Sequence, residues 1–110
     1  MNKEEQDRLL RQLADTFIDV ANKHIEQHDK NVVNTGFMYA AARFSAFIAA
    51  SSANNVEQFQ GQQEEAVEFF TNEFRKMLAS NLKGYEKAFQ QQAQQAEEQP
   101  VNRYDHLVKK

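Results

Sequence analysis

Apolar residues recur along the first quarter of the chain at steps of three and four positions, which is the period of an amphipathic helix. These positions are Leu10, Leu13, Ala14, Phe17, Val20, Ala21 and Ile25. Charged and amide side chains occupy the opposite face, and Asn2 followed by Glu5 has the spacing of a capping box. The pattern therefore predicts a first amphipathic helix from about Lys3 to His28.

The next predicted helix is apolar on nearly every side. Residues 29–34 lose the helical period and are predicted to form a loop, after which Asn34 or Thr35 can cap a helix from about Gly36 to Ser52. A helix that is apolar all round is usually buried all round. We therefore expect this helix to be the central element of the protein, or to face another chain over part of its surface.

A third and much longer helix is predicted from Val56 to about Gln95, with Asn55 and Gln58 as its capping box. Its apolar stripe is Val67, Phe70, Phe74, Met77, Leu78, Leu82, Tyr85 and Phe89. Forty helical residues span about 60 Å, whereas a compact globule of this length is roughly 34 Å across. We therefore expect a break at Gly61 or Gly84, packing against a second copy, or a helix that overshoots the domain.

The last part of the chain has a different composition. Residues 90–99 are nearly all Gln, Ala and Glu, which makes a low-complexity segment that cannot build a core, and Pro100 ends any helix there. The predicted fold is all-α, with three main helices in an antiparallel bundle over residues 1–89. A flexible, Gln-rich tail is predicted over residues 90–110.

Composition and charge narrow the class of protein. The 110 residues fit one domain, and the absence of cysteine excludes disulfides and thiolate metal sites. A net charge of -3 without a basic block is unfavourable for binding nucleic acid or an anionic membrane. The most apolar run, residues 37–50, contains Arg43 and is shorter than the roughly 20 residues of a bilayer span. With no secretory signal at the start, we expect a cytoplasmic protein.

Three segments carry a resemblance to a known family. Residues 17–22, 39–47 and 69–78 resemble a family of short, uncharacterised, all-helical proteobacterial proteins that is catalogued as a domain of unknown function. The resemblance covers roughly Leu9 to Phe89, and its most specific feature is Arg43 inside a run of Ala and Phe. It implies a bacterial, cytoplasmic, helical protein and brings no catalytic residues with it.

His24 and His28 are the candidate metal ligands. Histidines at i and i+4 share a helix face and can chelate one ion, and Asp29 or His106 could add a ligand. The zinc-protease motif has Glu directly after the first His, where this chain has Ile25. The bare pair therefore supports only a weak metal site, and the alternative is a packed His24 with a solvated His28.

Arg43 is the candidate with the most specific chemistry. A buried guanidinium needs a carboxylate or several carbonyl partners, because desolvating a lone charge costs several kcal/mol. The candidate partners are Asp15, Asp19, Glu68 and Glu73. The alternatives to a structural ion pair are a role at an interface or, with Tyr39, the binding of an anion or small ligand.

The nine phenylalanines are predicted to pack in a core or, in part, to form an exposed interaction patch. The candidates for such a surface are Phe37, Phe44, Phe47 and Phe69.

Two functions remain open at this point. One is a non-enzymatic module that binds a protein partner or itself as a homodimer, without a cofactor. The other is a small-ligand or metal-binding protein that uses Arg43, Tyr39 and the His24/His28 pair.

Overall fold

The structure is a computed structural model that describes residues 1–96. It contains three helices, α1 (Lys3–His24), α2 (Lys30–Ser51) and α3 (Val56–Ala96), and the described residues include no strand. The predicted all-α class and the three main helices are confirmed. The predicted antiparallel bundle and the division at residue 89 remain predictions, and most of the predicted tail lies outside the described residues.

Side-chain oxygens fix the starts of all three helices. Asn2 Oδ1 accepts a hydrogen bond from the backbone N–H of Glu5 at 2.8 Å, as its spacing predicts. At the start of α3, Asn55 Oδ1 accepts from the N–H of Gln58 at 2.8 Å, while Gln58 Oε1 accepts from the N–H of Asn54. The reciprocal bond therefore reaches one residue further back than in the usual capping box.

The turn between α1 and α2 corrects two predicted boundaries. Helix α1 ends at His24, four residues before the predicted end, because the N–H groups of Glu26 and Gln27 bond carbonyls only three residues back. Asp29 then caps α2, its Oδ1 accepting from the N–H of Asn31 at 2.7 Å. Helix α2 therefore begins six residues earlier than predicted, and the predicted caps Asn34 and Thr35 lie inside it.

Helix α3 runs unbroken through both of its glycines. It has 41 residues, which corresponds to about 60 Å of helix. The predicted break at Gly61 or Gly84 is therefore wrong. A glycine inside a helix costs only about 1 kcal/mol relative to alanine, and the residues around each glycine sustain the helix.

We expect Gly84→Ala to raise the free energy of unfolding by about 0.5–1 kcal/mol. A Cβ added at Gly84 or at Gly61 would meet no atom within 4 Å, so alanine gains helix propensity without a clash. The melting temperature followed by circular dichroism should rise by a few degrees, and Gly61→Ala provides the matched comparison. A lower melting temperature would mean that the site is closely packed against another chain.

The helices form two compact units, Met1–Ile48 and Ala49–Lys110, and the boundary falls in the last turn of α2. In the N-terminal unit the less exposed side chains lie near the α1–α2 turn, including Ile18, Ala21, Ile25 and Val33. In the C-terminal unit they lie mainly along the first half of α3, including Phe59, Ala66 and Phe70. Each unit therefore has a limited inner surface of its own.

Neither unit buries a hydrophobic side chain completely among residues 1–96. Helix α2 is not the buried central element among these residues, since Tyr39, Phe44 and Phe47 are 67%, 64% and 61% exposed. The alternative, that part of α2 faces another chain, remains a prediction. Of the nine phenylalanines, Phe59 and Phe70 are half-buried and the other seven are exposed, so one chain does not pack them in a core. An apolar helix surface shows that burial is favourable, but it does not show that the burying surface belongs to the same chain.

Candidate interaction surfaces

The first candidate surface is a groove on one face of α2. It is lined by Gly36, Tyr39, Ala40, Arg43, Phe44 and Phe47. These positions recur at three- and four-residue steps and therefore share one side of the helix. We call this surface the α2 groove.

The α2 groove contains two ring contacts. The guanidinium of Arg43 lies over the ring of Tyr39, with Cζ 5.7 Å from the ring centroid. The rings of Phe44 and Phe47 are tilted against each other with their centroids 5.9 Å apart. The groove is thus an apolar surface with one cation at its side. It unites four sequence candidates, Arg43, Tyr39, Phe44 and Phe47, and Phe37 lies on the same helix seven residues before Phe44.

Arg43 is exposed, which corrects the expectation of a buried ion pair. Within residues 1–96 its guanidinium contacts the Tyr39 ring and forms no ion pair with Asp15, Asp19, Glu68 or Glu73. Because the charge stays in water, it avoids the desolvation that would require a carboxylate. Among residues 1–96 Arg43 therefore has no buried ion pair, and its interface and ligand roles remain predictions.

We expect Arg43→Met to change the free energy of unfolding by no more than about 1 kcal/mol, which is the scale of an exposed cation–π contact. Breaking a buried ion pair would cost about 3–5 kcal/mol instead. Chemical denaturation measures the difference, with Arg11→Met on exposed α1 as the control. A loss on the larger scale would restore the buried-pair interpretation.

His24 and His28 lie close together at the end of α1. Their ring centroids are 6.4 Å apart, and both side chains are exposed. Asp29, the nearest predicted third ligand, uses its carboxylate to cap α2. Among the described residues no group of three or more His, Cys, Asp or Glu side chains has the arrangement of a metal site. His106 lies outside those residues, and the metal assignment remains a prediction.

A second groove belongs to the C-terminal unit, where the end of α2 meets the first half of α3. Its lining residues are Ala49, Ser52, Phe59, Gln62, Glu65, Ala66 and Phe69. Phe69 contacts Phe70 edge to face at a centroid distance of 5.3 Å. Phe69, the fourth predicted surface phenylalanine, therefore lies on a different unit from Phe37, Phe44 and Phe47 and is 58% exposed.

Helix α3 carries a third apolar surface, which we call the α3 stripe. Its members are Val56, Val67, Phe74, Leu78, Tyr85 and Phe89, and their exposure ranges from 38% to 67%. At about 100° of rotation per residue these positions fall within about 60° of each other around the helix axis. The α3 stripe is thus a narrow, straight surface, separate from the side of α3 that bears Phe59 and Ala66.

Spacing in the sequence could have separated the α3 stripe from the rest of the predicted apolar positions. Val56, Val67, Leu78 and Phe89 follow one another at intervals of 11 residues, and Phe74 and Tyr85 repeat that interval. An 11-residue repeat corresponds to about 3.67 residues per turn, so its members stay on one side of a nearly straight helix. Steps of three and four residues also fit the neighbouring side of α3, so those steps alone do not distinguish the α3 stripe from that side.

Charges are distributed unevenly along α3. Residues 56–73 contain five glutamates and no basic residue, whereas residues 74–96 contain four basic residues and one glutamate. At the boundary, Lys76 Nζ lies 2.8 Å from Glu73 Oε2 on the exposed surface of the helix. The helix is therefore acidic over its first half and basic over its second half.

None of the described helices is both long and apolar enough to cross a bilayer.

Comparison with known families assigns the chain to one of them. Residues 10–86 match the family model described as "Protein of unknown function (DUF3144)". The chain belongs to this family. The match lies within the range that the resemblance predicted, and it includes the whole of α2 and the α3 stripe from Val56 to Tyr85. No curated protein and no solved structure gives a significant match.

Proposed function

We propose that this protein is a non-enzymatic interaction module that associates with itself through the apolar faces of its helices. The exposure of its large apolar side chains is the observation that supports this function most strongly. Within residues 1–96 no hydrophobic side chain is buried, while large apolar side chains on all three helices are exposed, among them Phe17, Phe44 and Phe74. Soluble monomers rarely expose contiguous apolar surface beyond a few hundred Å².

A second copy of the chain is the simplest cover for such surfaces. Interfaces of obligate homodimers resemble a domain core cut in half, and their subunits often have no stable folded form alone. The α2 groove and the α3 stripe have the composition of such half-cores, with aromatic and aliphatic residues and few charges. Burying them against a copy would supply the hydrophobic stabilisation that the separate units lack.

The proposed class of partner follows from the net charge of the chain, and the proposed cellular location follows from its family resemblance. A net charge of -3 favours a protein partner over nucleic acid or an anionic membrane surface. The proposed location is the bacterial cytoplasm, and the proposed activity involves no cofactor.

Co-purification of two tagged forms tests self-association. An affinity-tagged copy and an untagged copy are produced together, and the affinity eluate is examined for the untagged chain. We expect stoichiometric retention of the untagged copy after extensive washing. Elution of the tagged chain alone would contradict the proposal.

The second candidate function is the binding of a small ligand or metal. The observation in its favour is the placement of Arg43 and Tyr39 side by side in the α2 groove. A cation beside apolar rings suits a small organic anion. Binding of benzoate that is lost in Arg43→Met, or of nickel that is lost in His28→Ala, would support this candidate. Both can be measured by calorimetry on the same preparations.

A further inference from the structure

The α3 stripe needs a covering surface of matching length. Val56 and Phe89 stand 33 positions apart, which is about 50 Å along a continuous helix. A partner helix of the same length lies in every other copy of this chain. The α3 helix of a second copy therefore matches the stripe in length and can cover it.

The exposed area of the stripe is close to what a specific interface requires. The exposed residues that form or flank its length are Val56, Val67, Phe74, Met77, Leu78, Leu82 and Tyr85. Roughly half of each side chain is exposed, so they offer on the order of 100 Å² apiece and about 700 Å² together. A stable interface of standard size buries about 800 Å² on each partner. Flanking polar side chains can supply the remainder.

The charge distribution along α3 favours an antiparallel pair of helices over a parallel one. In a parallel pair the five glutamates of residues 56–73 would lie beside the same five glutamates of the second copy. In an antiparallel pair the acidic half of each helix lies beside the basic half of the other. A two-fold axis near Phe74, where the sign of the charge changes, would set residues 56–73 of one copy alongside residues 75–92 of the other. At about 100° per residue Lys76, Lys83 and Lys87 lie on the side of α3 opposite the stripe, so the charges favour one orientation of the whole helices and do not form ion pairs across the contact.

We propose that two copies of this chain pair through their α3 stripes, antiparallel and with the two-fold axis near Phe74. The proposal deepens the proposed function and rests on it. It assigns a surface, an occupant and an orientation to the self-association. The resulting contact is isologous, so each residue is used twice and the assembly closes as a dimer.

Distances between spin labels test the orientation. The chain has no cysteine, so single-cysteine variants can be labelled without background. Glu57→Cys, Asn72→Cys and Gln91→Cys place labels at the start, middle and end of α3, at exposed positions outside the stripe. Pulsed electron spin resonance then measures the separation of the two labels in each dimer.

An antiparallel pair predicts a short distance between labels in the middle of α3 and long distances between labels at either of its ends. Labels at 72 should lie within about 20 Å of each other, whereas labels at 57, and likewise labels at 91, should lie about 50 Å apart. A mixture of the variants labelled at 57 and at 91 should give a short distance.

The outcomes separate this inference from the proposed function. Short distances at all three positions would mean a parallel pair, and a long distance at 72 in a dimeric sample would mean another interface. Either result overturns the antiparallel α3 contact and leaves self-association standing. Loss of all dipolar coupling in a sample whose mass is that of one chain overturns both.

Discussion

Leu78→Glu is expected to weaken self-association by about a thousandfold. Leu78 lies in the middle of the α3 stripe and is 45% exposed in the single chain. About half of this side chain is already covered within its own chain, so the variant loses about 1 kcal/mol of apolar burial on each copy, and the two-fold symmetry doubles this loss. Desolvation of the added carboxylate costs about another 1 kcal/mol on each copy. The total of about 4 kcal/mol corresponds to a factor of 10³ in the dissociation constant.

Ser80→Glu is the matched control for this variant. It adds the same charge to the same helix two residues away, at an exposed position on the side of α3 opposite the stripe. Sedimentation equilibrium should show Ser80→Glu associating like the wild-type chain. Equal dissociation constants for both variants would exclude the α3 stripe as the contact. Leu78→Ala, which adds no charge, should give a dissociation constant between those of the wild-type chain and Leu78→Glu.

The melting temperature is expected to depend strongly on protein concentration. Because hydrophobic burial is proposed to occur between copies, unfolding and dissociation should be coupled. Each tenfold dilution removes about 1.4 kcal/mol of stability from such a dimer. The unit that unfolds is then a dimer of twice 110 residues, for which 1 kcal/mol shifts the melting temperature by roughly 2–4 °C. A hundredfold dilution should therefore lower the melting temperature by about 5–10 °C.

Circular dichroism at a series of concentrations measures this shift. Two copies joined in one polypeptide by a flexible linker are the control, because their association no longer depends on concentration. The linked pair should melt at one temperature at every dilution. A wild-type melting temperature that is constant over the same range would contradict coupled folding and association.

Local features of this fold could be predicted from the sequence because they depend on neighbouring residues. The caps at Asn2 and Asn55 follow from hydrogen bonds that span three positions. The cap at Asp29 was missed, since the β-branched pair Val32-Val33 that follows it obscured the helical period. The boundary between α1 and α2 shifted as a result.

Burial was harder to predict, because periodicity identifies an apolar surface without identifying what covers it. The apolar character of α2 indicated a central, buried helix, yet the structure leaves Phe44 and Phe47 exposed. Arg43 was assigned a buried carboxylate partner on the same assumption. The expected break in α3 likewise came from the dimensions of a compact monomer, which need not apply when helices pack against a second copy.

The candidate surfaces were predicted in part. Tyr39, Arg43, Phe44 and Phe47 were selected individually, and the structure shows that they line one groove. The α3 stripe was merged with the half-buried side of the same helix, because steps of three and four residues fit both sides. The 11-residue interval that starts at Val56 distinguishes them.

The mass of the protein in solution tests self-association most directly. Static light scattering, coupled to size-exclusion chromatography and repeated over a dilution series, gives this mass independently of molecular shape. We expect twice the 12.8 kDa of one chain at high concentration, with a decrease only at the lowest concentrations. A mass of 12.8 kDa at every concentration would contradict self-association.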